Sequence, residues 1–291
     1  MKGEFAIIGA GRLGRTLGRL LALRDYRPAG LSCRTLRSAR QARDFIGGGE
    51  PTTSNVQAAA RVPLVLIATP DREIVPVARD LARGRLSWTG RIVVHTSGAI
   101  SSAALDPLKR RGALVASVHP LASIAAPRPD LDLQGTPFAL EGDPGAVRPL
   151  RRLIVEVGGS PVTIPRQAKA LYHLIACILS NDLVALLAGG FEAARGLGLG
   201  ARQAARLYLP LIRGTVENVA RLGPVRALTG PVSRGDVATL RLHGEALRTL
   251  PAEVRRVHRA LGLRSVGLAL EAGTITPEVA ARLARLLGSL P

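Results

Sequence analysis

The sequence predicts an α/β fold in which a doubly wound, mostly parallel sheet is followed by an all-helical domain. Three observations predict it. A glycine-rich turn, Gly9-Ala10-Gly11-Arg12-Leu13-Gly14, follows the apolar run Phe5-Ala6-Ile7-Ile8 at the start of the chain. Five further apolar segments then alternate with helical or polar connections. From Gln167 onward, strand-like alternation gives way to 3.6-residue periodicity alone.

The turn sets the first strand and helix. In a strand–turn–helix unit the first glycine permits the tight turn, the second admits a pyrophosphate, and the third lets helix pack on strand. The phosphates then meet the positive end of a helix dipole. Apolar residues at Leu17, Leu20, Leu21 and Leu23 carry the helix onward. The unit is the beginning of a Rossmann domain, with Gly9, Gly11, Arg12, Leu13 and Gly14 as cofactor contacts. A site for NAD would place an acidic residue about 20 positions further on. No Asp or Glu occurs between Tyr26 and Arg43, and the neighbourhood contains Arg34, Thr35 and Arg37. Guanidinium groups there suit the 2′-phosphate of NADP(H).

The later strands are expected at Ala29–Cys33, Leu64–Ala68, Arg91–His95, Leu114–Val118 and Pro137–Leu140. Thr69 and Pro70 end the Leu64 strand, and His95-Thr96-Ser97-Gly98 ends the Arg91 strand. Ligands of open α/β sheets bind at such carboxyl ends. Thr69 and Pro70 are therefore expected beside the cofactor, and His95 and Ser97 beside nicotinamide and substrate. His119, followed by the strand-ending Pro120, is placed as acid or base.

The domain boundary is expected at Gly158-Gly159-Ser160-Pro161 and Pro165, giving a dinucleotide domain over residues 1–163 and a helical substrate and dimerisation domain over 164–291. Helices are expected over Ala168–Arg195, Ala201–Arg221, Val237–Leu247, Ala252–Leu270 and after Thr276-Pro277-Glu278. Only three lysines occur, Lys2, Lys109 and Lys169, and only Lys169 enters an apolar helical segment. One turn later comes His173, so ammonium and imidazole share a face. A desolvated lysine beside a second cation has a lowered pKa and becomes a usable proton donor. Asn181 lies farther round the helix, at the pocket edge. In the later loop Thr229–Asp236, Arg234 offers a two-pronged grip on a carboxylate, with Asp236 either beside the substrate or paired to Arg234. The near-uniform apolarity of Leu174–Leu187 predicts a helix buried on all sides, and hence a homodimer packed through this domain.

Composition limits the alternatives. The net charge of +19 invites a nucleic-acid reading. However, the arginines are scattered, and one Trp, three Tyr and four Phe offer few stacking platforms. No nucleic-acid partner is expected. The apolar stretch Leu174–Phe191 is interrupted by Ser180-Asn181-Asp182, which argues for a buried helix over a membrane span. Cys33 and Cys177 are far apart and lack metal-ligand spacing, so they read as free thiols of a cytoplasmic protein with no metal.

Taken in order, the glycine turn, Ile67-Ala68-Thr69-Pro70-Asp71, His95-Thr96-Ser97-Gly98-Ala99, His119-Pro120-Leu121, Lys169 through Asn181, and Thr229-Gly230-Pro231 with Arg234-Gly235-Asp236 resemble bacterial proteins that join a Rossmann-like domain to the domain of unknown function 2520. That architecture is similar to the 6-phosphogluconate-dehydrogenase-like group, with its pyrroline-5-carboxylate reductases, prephenate dehydrogenases and β-hydroxyacid dehydrogenases. Lys169 matches the catalytic lysine of the last of these, but His173 stands where their asparagine is expected. Ser97 and His119-Pro120 look like the serine and histidine positions of prephenate dehydrogenases. The resemblance implies a cofactor domain and a pocket without naming a reaction.

The expected function is NADPH-dependent reduction or oxidation of a small, anionic carbonyl or imine compound. Lys169 and His119 would polarise and protonate, His173 and Ser97 would orient, and His95, Asn181, Arg234 and Asp236 would border the substrate. The alternative is a non-catalytic NADP(H)-binding sensor or scaffold.

Overall fold

Alternation of side chains along the first strand explains how the sheet is covered on both faces. The computed structural model describes residues 3–124, 126 and 132–290. In β1 (Gly3–Ile8), Phe5 and Ile7 enter one apolar cluster, whereas Ala6 and Ile8 enter another. Strand residues two apart share a face, so a run without polar residues needs helices on both sides. The elements that follow are α1 (Arg12–Ala22), β2 (Tyr26–Ser32), α2 (Leu36–Ile46), β3 (Glu50–Thr52), α3 (Asn55–Ala58), β4 (Leu64–Ile67), α4 (Asp71–Arg83), β5 (Ile92–His95), α5 (Asp106–Lys109), β6 (Leu114–Pro120), β7 (Pro137–Gly142), α6 (Pro144–Glu156) and β8 (Ser160–Thr163).

The strand order is β3-β2-β1-β4-β5-β6-β7-β8. Strands β1 to β6 pair in parallel, β7 runs antiparallel to β6, and β8 is parallel to β7. Between β1 and β4 the order reverses, which opens a crevice at their carboxyl ends. The Rossmann-type doubly wound sheet and the helical region after it are thus as the sequence predicts. Two strands escape the sequence reading. β3 has three residues, and β8 is a four-residue strand with little burial. Neither carries enough alternation to be legible.

By internal contacts the described chain divides into two compact units, residues 1–180 and 181–291. The division falls within α7 (Lys169–Ala193). The second unit continues with α8 (Ala201–Ala227), which is broken at Gly223, and with α9 (Val237–Leu247), α10 (Ala252–Glu271) and α11 (Pro277–Gly288). Its core is formed by Leu240, Leu247, Val266, Leu283 and Leu287, at helical spacing on α9 to α11.

The burial expected of α7 is not met among the described residues of a single chain. Far from being buried on all sides, α7 exposes Leu174, Ile178, Leu179 and Val184, the last two at 70% and 67%. Among its described residues only Lys169 is buried. Residues 166–197 are long and apolar enough to cross a membrane by length and composition. Uniform apolarity shows that a helix needs cover, and the described residues do not supply it.

Candidate functional site

The glycine turn forms as its residue types require. Gly9 has a φ of +83°, and a Cβ there would lie 2.6 Å from Thr69 Cγ2 and 2.8 Å from Thr69 N. The turn after β1 and the end of β4 therefore touch, which brings Thr69 and Pro70 to the glycine loop. A Cβ on Gly14 would meet the Gly9 carbonyl at 2.9 Å and the side chains of Ile7 and Ala68 at 3.2 Å. Gly11, by contrast, is exposed, and a Cβ there would meet nothing closer than the Gly9 carbonyl at 4.0 Å. Two glycines permit protein packing, and the third leaves open space where backbone can approach a ligand. Gly11 caps α1, whose first turn carries no acidic residue, so the helix offers unopposed positive potential.

At the end of β2, Arg34 and Arg37 are exposed. Between them Thr35 caps α2, its hydroxyl accepting from the Ser38 backbone N–H at 3.2 Å. Arg15 links the glycine loop to the first turn of α2: its guanidinium donates to the Ala10 carbonyl at 3.1 Å and to the Ser38 carbonyl at 3.4 Å. Arg15 was not among the expected cofactor contacts. Its position four residues after Gly11 is the available signal, since that places it on the loop side of α1.

A second polar group gathers at the ends of β5 and β6 and the start of α7. His119 Nδ1 lies 2.9 Å from the Tyr172 hydroxyl oxygen, and the two rings meet edge to face with centroids 5.7 Å apart. The His173 ring lies 6.0 Å from that of His119. Gly98 borders both: a Cβ there would come within 2.3 Å of His173 Cδ2 and 3.0 Å of His119 Nε2. Lys169, 2% exposed, donates to the Ser97 carbonyl at 2.7 Å and to the Ser117 hydroxyl at 2.9 Å. Its ammonium lies 5.9 Å from the centre of the Tyr172 ring. His119, His173, Lys169 and Ser97 are thus brought together.

The cluster also contains groups that the sequence reading did not single out. Ser97 donates to Asp71 at 2.8 Å and accepts from the backbone N–H groups of Ala99 and Ile100. Glu141, 3% exposed, accepts from Ser102 through the backbone N–H at 2.6 Å and the hydroxyl at 2.8 Å, with Arg166 Nε 3.4 Å away. In the ladder Glu141 sits opposite Ser117, the residue that accepts from Lys169. Tyr172 could have been found by spacing, because it stands three residues after Lys169 on the same helical face. Glu141 could not, because its partners lie 25 and 39 residues away.

Burial governs the titration of these groups. His119 is lowered to about 4, first by desolvation and then by the charges of Lys169 and His173, with Asp71 opposing. Lys169 is lowered to about 8 by burial, against the opposing pull of Glu141 and Asp71. His95 also falls to about 4, again chiefly from burial. Its Nδ1 accepts from the Ser97 N–H at 3.2 Å, so Nε2 carries the proton and donates to the Ser101 carbonyl at 3.1 Å. Both nitrogens of His95 are committed to its own loop.

The three remaining expected residues belong to the second unit. Asn181 and Arg234 are exposed. Asp236 caps α9, accepting from Thr239 N–H at 3.0 Å and from the Thr239 hydroxyl at 2.7 Å. The described residues contain no group of three or more His, Cys, Asp or Glu placed to hold a metal ion.

Two family models match the sequence, a Rossmann-like domain over residues 2–120 and a domain of unknown function, DUF2520, over residues 136–265. The chain therefore joins these two domains in that order. No protein of curated description matches it. The fold recurs in a candidate NADP oxidoreductase from Bacteroides fragilis, at 22% identity over 92% of this chain and 98% of that one, with a TM-score of 0.74. A protein from Thermotoga maritima is 26% identical over 98% of each chain, with a TM-score of 0.65. A reductive aminase from Aspergillus terreus, solved with NADPH and ethyl levulinate, is 17% identical over 99% and 93%, with a TM-score of 0.63.

Proposed function

We propose that this protein is an NADP(H)-dependent oxidoreductase that acts by hydride transfer on a small carbonyl or imine compound. The observation that carries the reading is the open face of Gly11 at the start of α1, in a loop tied by Arg15 to the first turn of α2, where the chain leaving β2 bears Arg34 and Arg37 and no carboxylate. When bound, the dinucleotide supplies or accepts the hydride. Backbone N–H groups of Gly11 to Gly14 would hold its pyrophosphate, Arg34, Thr35 and Arg37 its 2′-phosphate, and Thr69 and Pro70 would border it.

The cluster of His119, Lys169, Tyr172 and His173 would serve the acceptor. At neutral pH most Lys169 remains charged, so it contributes positive potential where negative charge develops on an acceptor oxygen or nitrogen. Ser97 orients the loop between them. Arg234 and Asn181 are the groups of the second unit proposed to bind an anionic substrate, and Asp236 would hold the Arg234 loop by capping α9. The uncovered face of α7 would be closed by a second copy of the chain, and sedimentation equilibrium giving only monomer would overturn that. Two free thiols suit a reducing cytoplasm, which a fluorescent fusion would test.

Calorimetric titration with NADPH and NADH tests the cofactor assignment. NADPH should bind the tighter, and Arg34→Asp should weaken NADPH by roughly tenfold or more while changing NADH little. Absence of NADPH binding would sink the reading. A second reading, a sensor that binds NADP(H) without turnover, is favoured by one feature: the Ser97 hydroxyl and both ring nitrogens of His95 have protein partners, and Lys169 donates to Ser97 and Ser117 with two of its three N–H groups. Cofactor oxidation by any member of an aldehyde, keto-acid and cyclic-imine panel would remove that alternative.

A further inference from the structure

A histidine that is neutral at physiological pH is a poor acid unless its second nitrogen gains a proton as the first gives one up. His119 is in this position. Burial, the Lys169 ammonium and His173 all oppose its charging, and Asp71 alone among the groups acting on it favours the charge. It therefore cannot act as a simple imidazolium donor at neutral pH. The structure supplies the missing piece in Tyr172, whose hydroxyl oxygen stands 2.9 Å from Nδ1. The other nitrogen, Nε2, is directed to Gly98, where a single added carbon would lie 3.0 Å away.

We propose that Tyr172 is a positioning residue that makes neutral His119 a competent acid by relaying a proton through it. The Tyr172 hydroxyl donates to Nδ1, which fixes the proton of the neutral ring on Nε2, the nitrogen beside Gly98. The relay rests on the oxidoreductase reading above, with reduced nicotinamide as the electron source. As the acceptor carbon takes up hydride, its oxygen or nitrogen takes the proton from Nε2. The phenol proton then passes to Nδ1, so the ring stays neutral with its tautomer reversed and Tyr172 becomes a phenolate. Burial raises the Tyr172 pKa and so opposes the anion, and the Lys169 ammonium, 5.9 Å from the ring centre, is the positive charge set against that cost. The cycle closes when Nδ1 returns its proton to the phenolate and water protonates Nε2. No net charge is left on the histidine at any stage. Gly98 has a part in this arrangement, because a Cβ at that position would collide with His173 and press on His119.

The test is nitrogen NMR of ¹⁵N-histidine-labelled protein, with and without NADPH, the His119 signals being assigned by their loss in His119→Gln. Neutral His119 with its proton on Nε2 is expected from pH 5 to 8. Tyr172→Phe removes the donor to Nδ1. It should abolish the Nε2–H preference of the neutral ring. A wild-type proton on Nδ1, or a Tyr172→Phe variant with unchanged tautomer, would overturn the relay. Calorimetry on the same samples keeps the two claims apart. Failure to bind NADPH with the Nε2–H tautomer intact removes the redox reading and the relay with it, whereas NADPH binding with Nδ1–H removes the relay alone.

Discussion

The glycine turn and the polar cluster at the ends of β5 and β6 lie in the same unit, yet they are built on opposite principles. The turn works through side chains that are missing. Gly9 and Gly14 let backbone and neighbouring strands close up, and Gly11 leaves a gap. The cluster works through side chains that are present and satisfied, with Lys169, Ser97, Ser117 and Asp71 in one hydrogen-bonded set, Ser102 and Glu141 in a second, and His119 with Tyr172 in a third. A site made of omissions tolerates no addition, and a site made of a network tolerates no subtraction.

The largest effect should come from adding to the turn. Gly9→Val places a branched side chain at a φ of +83° and against Thr69. Strain and overpacking together should cost about 3 kcal/mol of stability and abolish NADPH binding. Urea unfolding and calorimetry would measure both, and a stable Gly9→Val variant that still binds NADPH would break the contrast. Next in size is subtraction from the network. Glu141→Ala leaves the Ser102 N–H and hydroxyl without their acceptor, at a cost of about 2 kcal/mol. It should leave NADPH affinity near that of the wild type, since Glu141 is not among the turn residues. If NADPH affinity fell as far as stability, the two regions would not be separable.

Mildest near neutral pH is acid, whose effect grows only below pH 6.5. His95 and His119 have folded pKa values of about 4 against the usual 6.5, so the unfolded chain binds more protons between those values. Stability contributed by their neutral forms is complete above pH 6.5 and is lost as the pH falls toward 4, by at most about 1.4 kcal/mol per pH unit for each histidine. Melting temperatures measured across this window should fall less steeply in His119→Gln than in wild type. Equal slopes would mean that His119 does not stay neutral in the folded protein.

The two regions also differ in how far the sequence disclosed them. The turn could be read directly, because its three glycines fall within six contiguous residues and their spacing states the backbone geometry. His119, Lys169 and His173 were legible as candidates: one ends an apolar strand, and the other two share a helical face. Their partners were less so. Glu141 reaches Ser102 across 39 residues, and nothing in the local pattern of β7 distinguishes a buried, satisfied carboxylate from a solvent-facing one. The same limit applies to α7. Apolarity announced a helix in need of cover, but whether that cover lies within the chain is a question of partners, not of periodicity.

Sequence by itself determined what depends on near neighbours: the strand–turn–helix unit, the absence of an acid at the end of β2, the helical periods after Gln167 and the shared face of Lys169 and His173. Tertiary structure decided what depends on desolvation and on distant partners. It set the neutral state of His119, the depressed pKa of Lys169, the commitment of His95 and Asp236 to their own loops, and the meeting of Tyr172 with His119. The physical reason is that backbone geometry is fixed within a few residues, whereas the cost of burying a charge is set by every group that folding brings around it.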